Sequence, residues 1–369
     1  MRGRPQLRVS YEADSAVLPS GVQKLWLAAG IVVAVAAVFA FDRPTLSLVA
    51  TAFVAAIGAI GLNLVTGWAG QISLGHAFFL GIGAYVGAAL SGATGTPVIG
   101  LGLDMVVWLP AAGLVAALIG ALVSPIALRL KGLYLALVTI GLVLLGEHIF
   151  RNWRSLTGGQ GQGREPSVLS LFGYRFDQPG TILGVDLTRE QLIYLLMLVL
   201  MVMMTVIAKN LTRGRLGRAF SAIRDRDIAA EVIGVNLTRY KVIAFALSSF
   251  YAGVAGALLF SVTGFVEPSQ FNLLLSVAYL AMVVIGGAAS IAGSVMGAFF
   301  IVLLPEIIER LIGVSPVDPA ALSEFLTVGQ LERVAFGLLI VVFIVVEPLG
   351  LYGIWLRIRN YWKAFPFSY

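Results

Sequence analysis

Apolar residues in this chain gather into runs of about twenty separated by short polar joints, neither alternating as in a half-exposed strand nor marking one stripe of a surface helix. A run of that length is what one α-helix needs to cross a hydrocarbon core about 30 Å thick. The pattern predicts ten spans, at about 22–41, 45–65, 71–91, 105–125, 132–150, 190–208, 241–263, 272–289, 291–312 and 331–347. Spans eight and nine adjoin almost directly, which leaves room for one of them to be re-entrant. The first run follows a basic N-terminus, as a signal peptide would. It exceeds the usual core of about 7–15 residues, however, and a second span follows at once, so a retained anchor is expected.

The polar joints orient this array. With the N-terminus inside, most lysines and arginines fall on the inner face: Arg2, Arg4, Arg8 and Lys24, Arg129 and Lys131, the loop 209–241, and Arg357 to Lys363. That bias predicts both termini in the cytoplasm. The expected organisation is an all-α polytopic membrane protein with a cytoplasmic tail at 1–21, a transmembrane domain at 22–350 and a cytoplasmic tail at 351–369. Composition agrees: 59% of residues are hydrophobic and 12% charged, against about 25% charged in soluble domains. The net charge of +6 is accounted for by topogenic loops, and no nucleic-acid motif accompanies it. The absence of cysteine excludes disulfides and thiolate metal sites.

One span reads badly as an ordinary membrane helix. "GWAGQISLGHAFFLGIGAY", from Gly67 to Tyr85, holds five glycines together with Gln71, Ser73 and His76. Broken backbone at membrane depth is tolerated only where protein or a water-filled cavity satisfies it. The expectation is a discontinuous helix starting near Gln71–Ser73, with Asn63 of the preceding span nearby. Its free amides would then border a permeation path; alternatively, these groups satisfy one another in a helix interface.

Two water-exposed segments stand out. The outer loop, about 151–189, contains "LTGGQGQGREP" and is expected to be irregular. In the inner loop, about 209–240, Ala219, Ala222, Ile223, Ala230 and Ile233 recur at helical spacing before Gly234. They predict one short amphipathic helix from Arg218 to Ile233. Machinery for chemistry is missing: there is no phosphate-binding GxxxxGK[ST] loop, nucleophile elbow or His-Glu-x-x-His. Glu147 and His148 alone fall short of a metal's three or four ligands. A cation-coupled carrier would need intramembrane acids, and the span centres have almost none. No catalytic or metal-binding residue is expected, and any energy from ATP must come from another polypeptide.

Three stretches, "GLNLVTGWAGQISLGHAFFLGIGAYVGA" (61–88), "LKGLYLALVTIGLVLLGEHIF" with "LTGG" (130–159) and "RLGRAFSAIRDRDIAAEVIGVNLTRYKVIAFALSSFYAGVAGAL" (215–258), resemble the LivM-type permease family of branched-chain amino acid ABC importers. The resemblance implies a plasma-membrane permease in a heterodimer with a second permease. It also implies two cytoplasmic ATPase subunits, which hold ATP and Mg, and an extracytoplasmic solute-binding protein. It further implies that "IAAEVIG" at 228–234 docks on the ATPases, with Arg224, Asp225, Asp227, Glu231 and Gly234 as coupling residues. Asn63, Gln71, Ser73 and His76 are the expected path residues. The same architecture would also suit urea, short amides or other small organic solutes.

Overall fold

The computed structural model describes residues 21–93, 98–128, 130, 132–159, 163–165, 168–182, 184–314 and 349–364, with scattered positions between 330 and 347. Residues 1–20 of the expected tail and most of the tenth span lie outside the described residues. Among the latter, six helices are long and apolar enough to cross a bilayer, and three shorter apolar helices accompany them. These nine helices are α1 (Gly21–Ala40), α2 (Arg43–Asn63), α3 (His76–Ser91), α4 (Met105–Leu128), α5 (Leu133–Asn152), α7 (Arg189–Arg213), α10 (Leu237–Thr263), α11 (Leu273–Gly286) and α12 (Ile291–Val314). The one-turn α6 (Arg154–Thr157), the surface helices α8 (Arg215–Asp225) and α9 (Asp227–Val232), and a final helix α13 (Gly350–Ala364) complete the set.

Helix α10 lies at the centre, packed against α2, α3 and α4. Lipid removes the hydrophobic drive between helices, so close backbone approach through small residues must supply the attraction. Gly83 of α3 meets the backbone of Gly253, and Gly256 meets the backbone of Leu80. Gly253 also lies over Ala112 and Gly113 of α4. Gly286, Gly293 and Gly297 close the α11–α12 hairpin in the same way. At the edge, α1 is held to α7 by the Tyr194 hydroxyl, which donates to the Ala34 carbonyl at 3.0 Å, and by Gln191 Nε2, which donates to Val38 at 3.1 Å.

Three expectations change. The helix expected from Gln71–Ser73 begins only at His76, because the backbone before it is held out of the helix by partners described below. The fold is not purely helical: two antiparallel hairpins, Ser170–Leu171 with Tyr174–Arg175 and Gly180–Ile182 with Val185–Leu187, stand in the 151–189 loop. Strands of two or three residues carry too little alternation to be read from sequence. The amphipathic helix expected over Arg218–Ile233 is two helices, broken where Arg226 takes an extended backbone (φ −156°, ψ 101°). Asp227 then turns its carboxylate onto the amide of Ile228 at 2.9 Å. Gly234, at φ +92°, ends the pair as expected.

Candidate functional site

The site begins where α2 ends. Its last residues wind into a π-turn at Leu64–Trp68, and such turns gather at functional positions. Gly70 follows at φ +68°, a left-handed conformation open to glycine, and the Gln71 amide donates back to the Val65 carbonyl at 2.9 Å. From there a segment that is neither helix nor strand leads up to His76. Exposure alternates along it: Gln71 and Ser73 are buried while Ile72 between them is 47% exposed.

Each turn of this climb has a polar hold. Thr139 Oγ1 of α5 accepts from the Leu74 amide at 2.9 Å, Ser73 Oγ accepts from the Gly75 amide at 3.3 Å, and Ser276 Oγ of α11 accepts from the Ala77 amide at 2.9 Å. The amides of Ala77 and of Phe78, which donates to Gly75, are therefore engaged within the chain rather than offered to an anion. His76 lies against the ring of Tyr279, centroids 4.9 Å apart, and Tyr279 covers Gly58 of α2. Gly58 precedes Trp68 by ten residues, so His76 sits about 15 Å in from the end of the π-turn at 1.5 Å per residue. The glycine-rich stretch thus starts at one end of the bundle and re-enters to mid-depth. Among the described residues, Gln71 Nε2 and His76 Nε2 are buried without a hydrogen-bond partner.

Asn63 is a clasp. Its Nδ2 donates to the Ser290 carbonyl at 2.9 Å and to Ser294 Oγ at 2.7 Å, while its Oδ1 accepts from the Ala289 amide at 2.9 Å. It ties the end of α2 to the turn between α11 and α12. Gly67 fits beneath it, against Asn63 Oδ1 and the Ala289 amide.

Helix α8 reaches the same place from the water-exposed side. Arg224 Nη1 donates to the Gly67 carbonyl at 3.2 Å, its stem crosses Gly70, and its Nε pairs with Asp225 at 3.1 Å. The two groups of residues expected as separate sites, 63–76 and 224–234, therefore meet at Gly67–Gly70. Beyond Arg226, α9 projects Ile228, Val232 and the following Ile233 into the open, each 73% exposed or more, with Glu231 beside them. Asp225 ends α8, Asp227 opens α9, and Gly234 follows the pair.

Sequence reasoning missed Thr139, Ser276, Ser290 and Ser294, whose hydroxyl or carbonyl partners lie 65 to 231 residues away. It also missed Arg164 at the other end of α3. There the buried guanidinium donates to the carbonyls of Leu156 (2.6 Å), Ala88 (2.6 Å) and Ile99. Burial pulls its ionisation below the usual arginine range. Glu147 pairs with Arg151, and the His148 carbonyl accepts from Asn152.

Comparison with known proteins places this arrangement. Residues 45–345 match the family model described as the branched-chain amino acid transport system / permease component. The high-affinity branched-chain amino acid transport system permease protein LivM of Escherichia coli (strain K12) is 34% identical over 299 residues, 78% of this chain and 69% of that protein. LivH of Salmonella typhimurium (strain LT2) is 27% identical over 81% of this chain and 91% of its own length. The xylose transport system permease protein XylH of E. coli K12 is 32% identical over 34% of this chain and 31% of its own. No solved structure matches significantly. With its apolar helices and a match spanning most of its length, the chain belongs to the LivM-type permease family of branched-chain amino acid transport, as a multi-pass protein of the inner membrane.

Proposed function

We propose that this chain forms one membrane half of an ATP-binding-cassette importer for branched-chain amino acids, with both termini and the 209–240 loop in the cytoplasm. A second permease completes the path, two cytoplasmic ATPases carrying ATP and Mg supply the energy, and an extracytoplasmic receptor delivers the cargo. The observation that carries this reading is the bare apolar face of α9. Ile228, Val232 and Ile233 are exposed on a polar loop, and a partner's groove would remove the cost of leaving them bare in water.

The mechanism follows from the chain of contacts. A pull on α9 passes through α8 to Arg224, from Arg224 to the Gly67 carbonyl, and through Asn63 to the α11–α12 turn. The segment Gly70–Gly75 lies between these points and moves with them. Gln71, Ser73 and His76 border the route of a zwitterion, and Asn63 keeps the wall in register. Aliphatic cargo suits a wall this apolar.

Uptake into vesicles containing all four subunit types is expected to require both ATP and the receptor. Transport by this chain alone, driven by a cation gradient, would overturn the proposal. Glu231→Lys is expected to insert normally and leave receptor-stimulated ATP hydrolysis uncoupled from uptake; full uptake by that variant contradicts the docking role.

A further inference from the structure

A cavity of about 220 Å³ opens between the Gly70–Gly75 segment and the first docking helix. Its walls are Gly70 and Gln71, Leu130 and Leu135 near the start of α5, Ile223 to Asp227, and Lys241 at the start of α10. At about 30 Å³ per water it has room for one small solute, not a peptide. The lining mixes three chemistries. Leu130, Leu135 and Ile223 are aliphatic. Arg226 and Lys241 bring two cations that pair with no carboxylate among the described residues, whereas Arg224 is already occupied by Asp225 and Gly67. Asp225, paired with Arg224, and Asp227, on the Ile228 amide, add carboxylates to the lining, and Gln71, 7% exposed, borders the space with an amide nitrogen lacking a partner.

A carboxylate facing Lys241 and Arg226, an ammonium facing the aspartates and an aliphatic side chain against the leucines together describe an α-amino acid. We infer that this cavity is a cytoplasmic binding site for the transported amino acid, filled from the product side, that restrains further uptake. The restraint is local: a solute seated between Gly70 and Arg224 wedges the two parts whose contact transmits motion from the docking helices to the Gly70–Gly75 segment. This inference rests on the cargo reading above for the identity of the ligand; the cavity's charge pattern stands without it.

The test uses the complete transporter in proteoliposomes with receptor and external leucine, ATP and leucine being preloaded on the ATPase side. Preloaded leucine is expected to slow initial uptake several-fold. Leucinol, which lacks the carboxylate, and 4-methylpentanoate, which lacks the ammonium, are expected to have little effect. Lys241→Ala is expected to transport normally into leucine-free vesicles and to need about tenfold more leucine for the same slowing, the equivalent of one charge-assisted hydrogen bond. Equal inhibition of Lys241→Ala and wild type overturns the site, and inhibition by phosphate or 4-methylpentanoate as strong as by leucine reduces it to a plain anion site. If the wild type takes up no leucine at all, the cargo reading fails instead. Equilibrium binding of radiolabelled leucine to the full chain in nanodiscs then decides the cavity alone: saturable binding lost in Lys241→Ala upholds it, and no saturable binding refutes it.

Discussion

Two arginines hold the two ends of the re-entrant element, and they do so in opposite ways. Arg164 is 8% exposed and spends its guanidinium on three backbone carbonyls around the end of α3. Arg224 leaves 38% of its side chain exposed, reaches one carbonyl at the π-turn, and borders a cavity. A buried charge surrounded by acceptors cannot leave without stranding them, so the Arg164 end is locked. A half-exposed charge can exchange its partners for water at small cost. One end is built as an anchor and the other as a joint.

Arg164→Ala is expected to have the largest effect on stability, roughly 3 kcal/mol, because three hydrogen bonds from one charged, buried donor are lost together. Thermal unfolding in detergent checks it, and a shift no larger than that of a surface substitution would erase the contrast. Asn63→Leu comes next at about 2 kcal/mol, since it strips the buried Ala289 amide of its partner and removes the side-chain bonds to the Ser290 carbonyl and Ser294 hydroxyl. It should also reduce uptake, as the clasp lies on the transmission route. Arg224→Ala should change stability by less than about 1 kcal/mol. Its uptake should nevertheless fall while ATP hydrolysis persists, the signature of a joint rather than an anchor. Smallest is the effect of acid on the outer hairpin, where the hydrogen bond from Arg175 holds the Asp177 carboxyl below its usual range against the opposing pull of burial. A lowered carboxyl stabilises above its unfolded value of about 3.9 and loses that contribution as pH falls through its folded value. Amide exchange around Tyr174–Arg175 should therefore quicken only below about pH 4.

The spans were legible because one apolar run makes one helix whatever surrounds it; seven of the nine described helices begin and end within four residues of the sequence reading, and α7 merely runs five residues further into the polar loop. The exception is α3, where the break showed in the glycines but its extent did not. Where α3 begins depends on Thr139 and Ser276, hydroxyls on distant spans that look like ordinary packing residues. Asn63 was visible as a polar group in an apolar run, yet its role as a clasp required knowing that Ser290 lies opposite. Arg164 offered no signal, since an arginine in a glycine-rich loop reads as solvated until the loop folds back onto α3. Arg224 and Gly67 were each noticed, but nothing in 157 residues of separation announces that they touch.

Between the π-turn and α3, Gly70–Gly75 forms neither helix nor strand. A helix is held along its whole length by its own backbone ladder, whereas this segment hangs on the hydroxyls of Thr139 and Ser73 and on the Gln71 amide at Val65. Releasing it requires no helix to tilt or unwind, so a short displacement of α8 against Gly67–Gly70 is expected to move it.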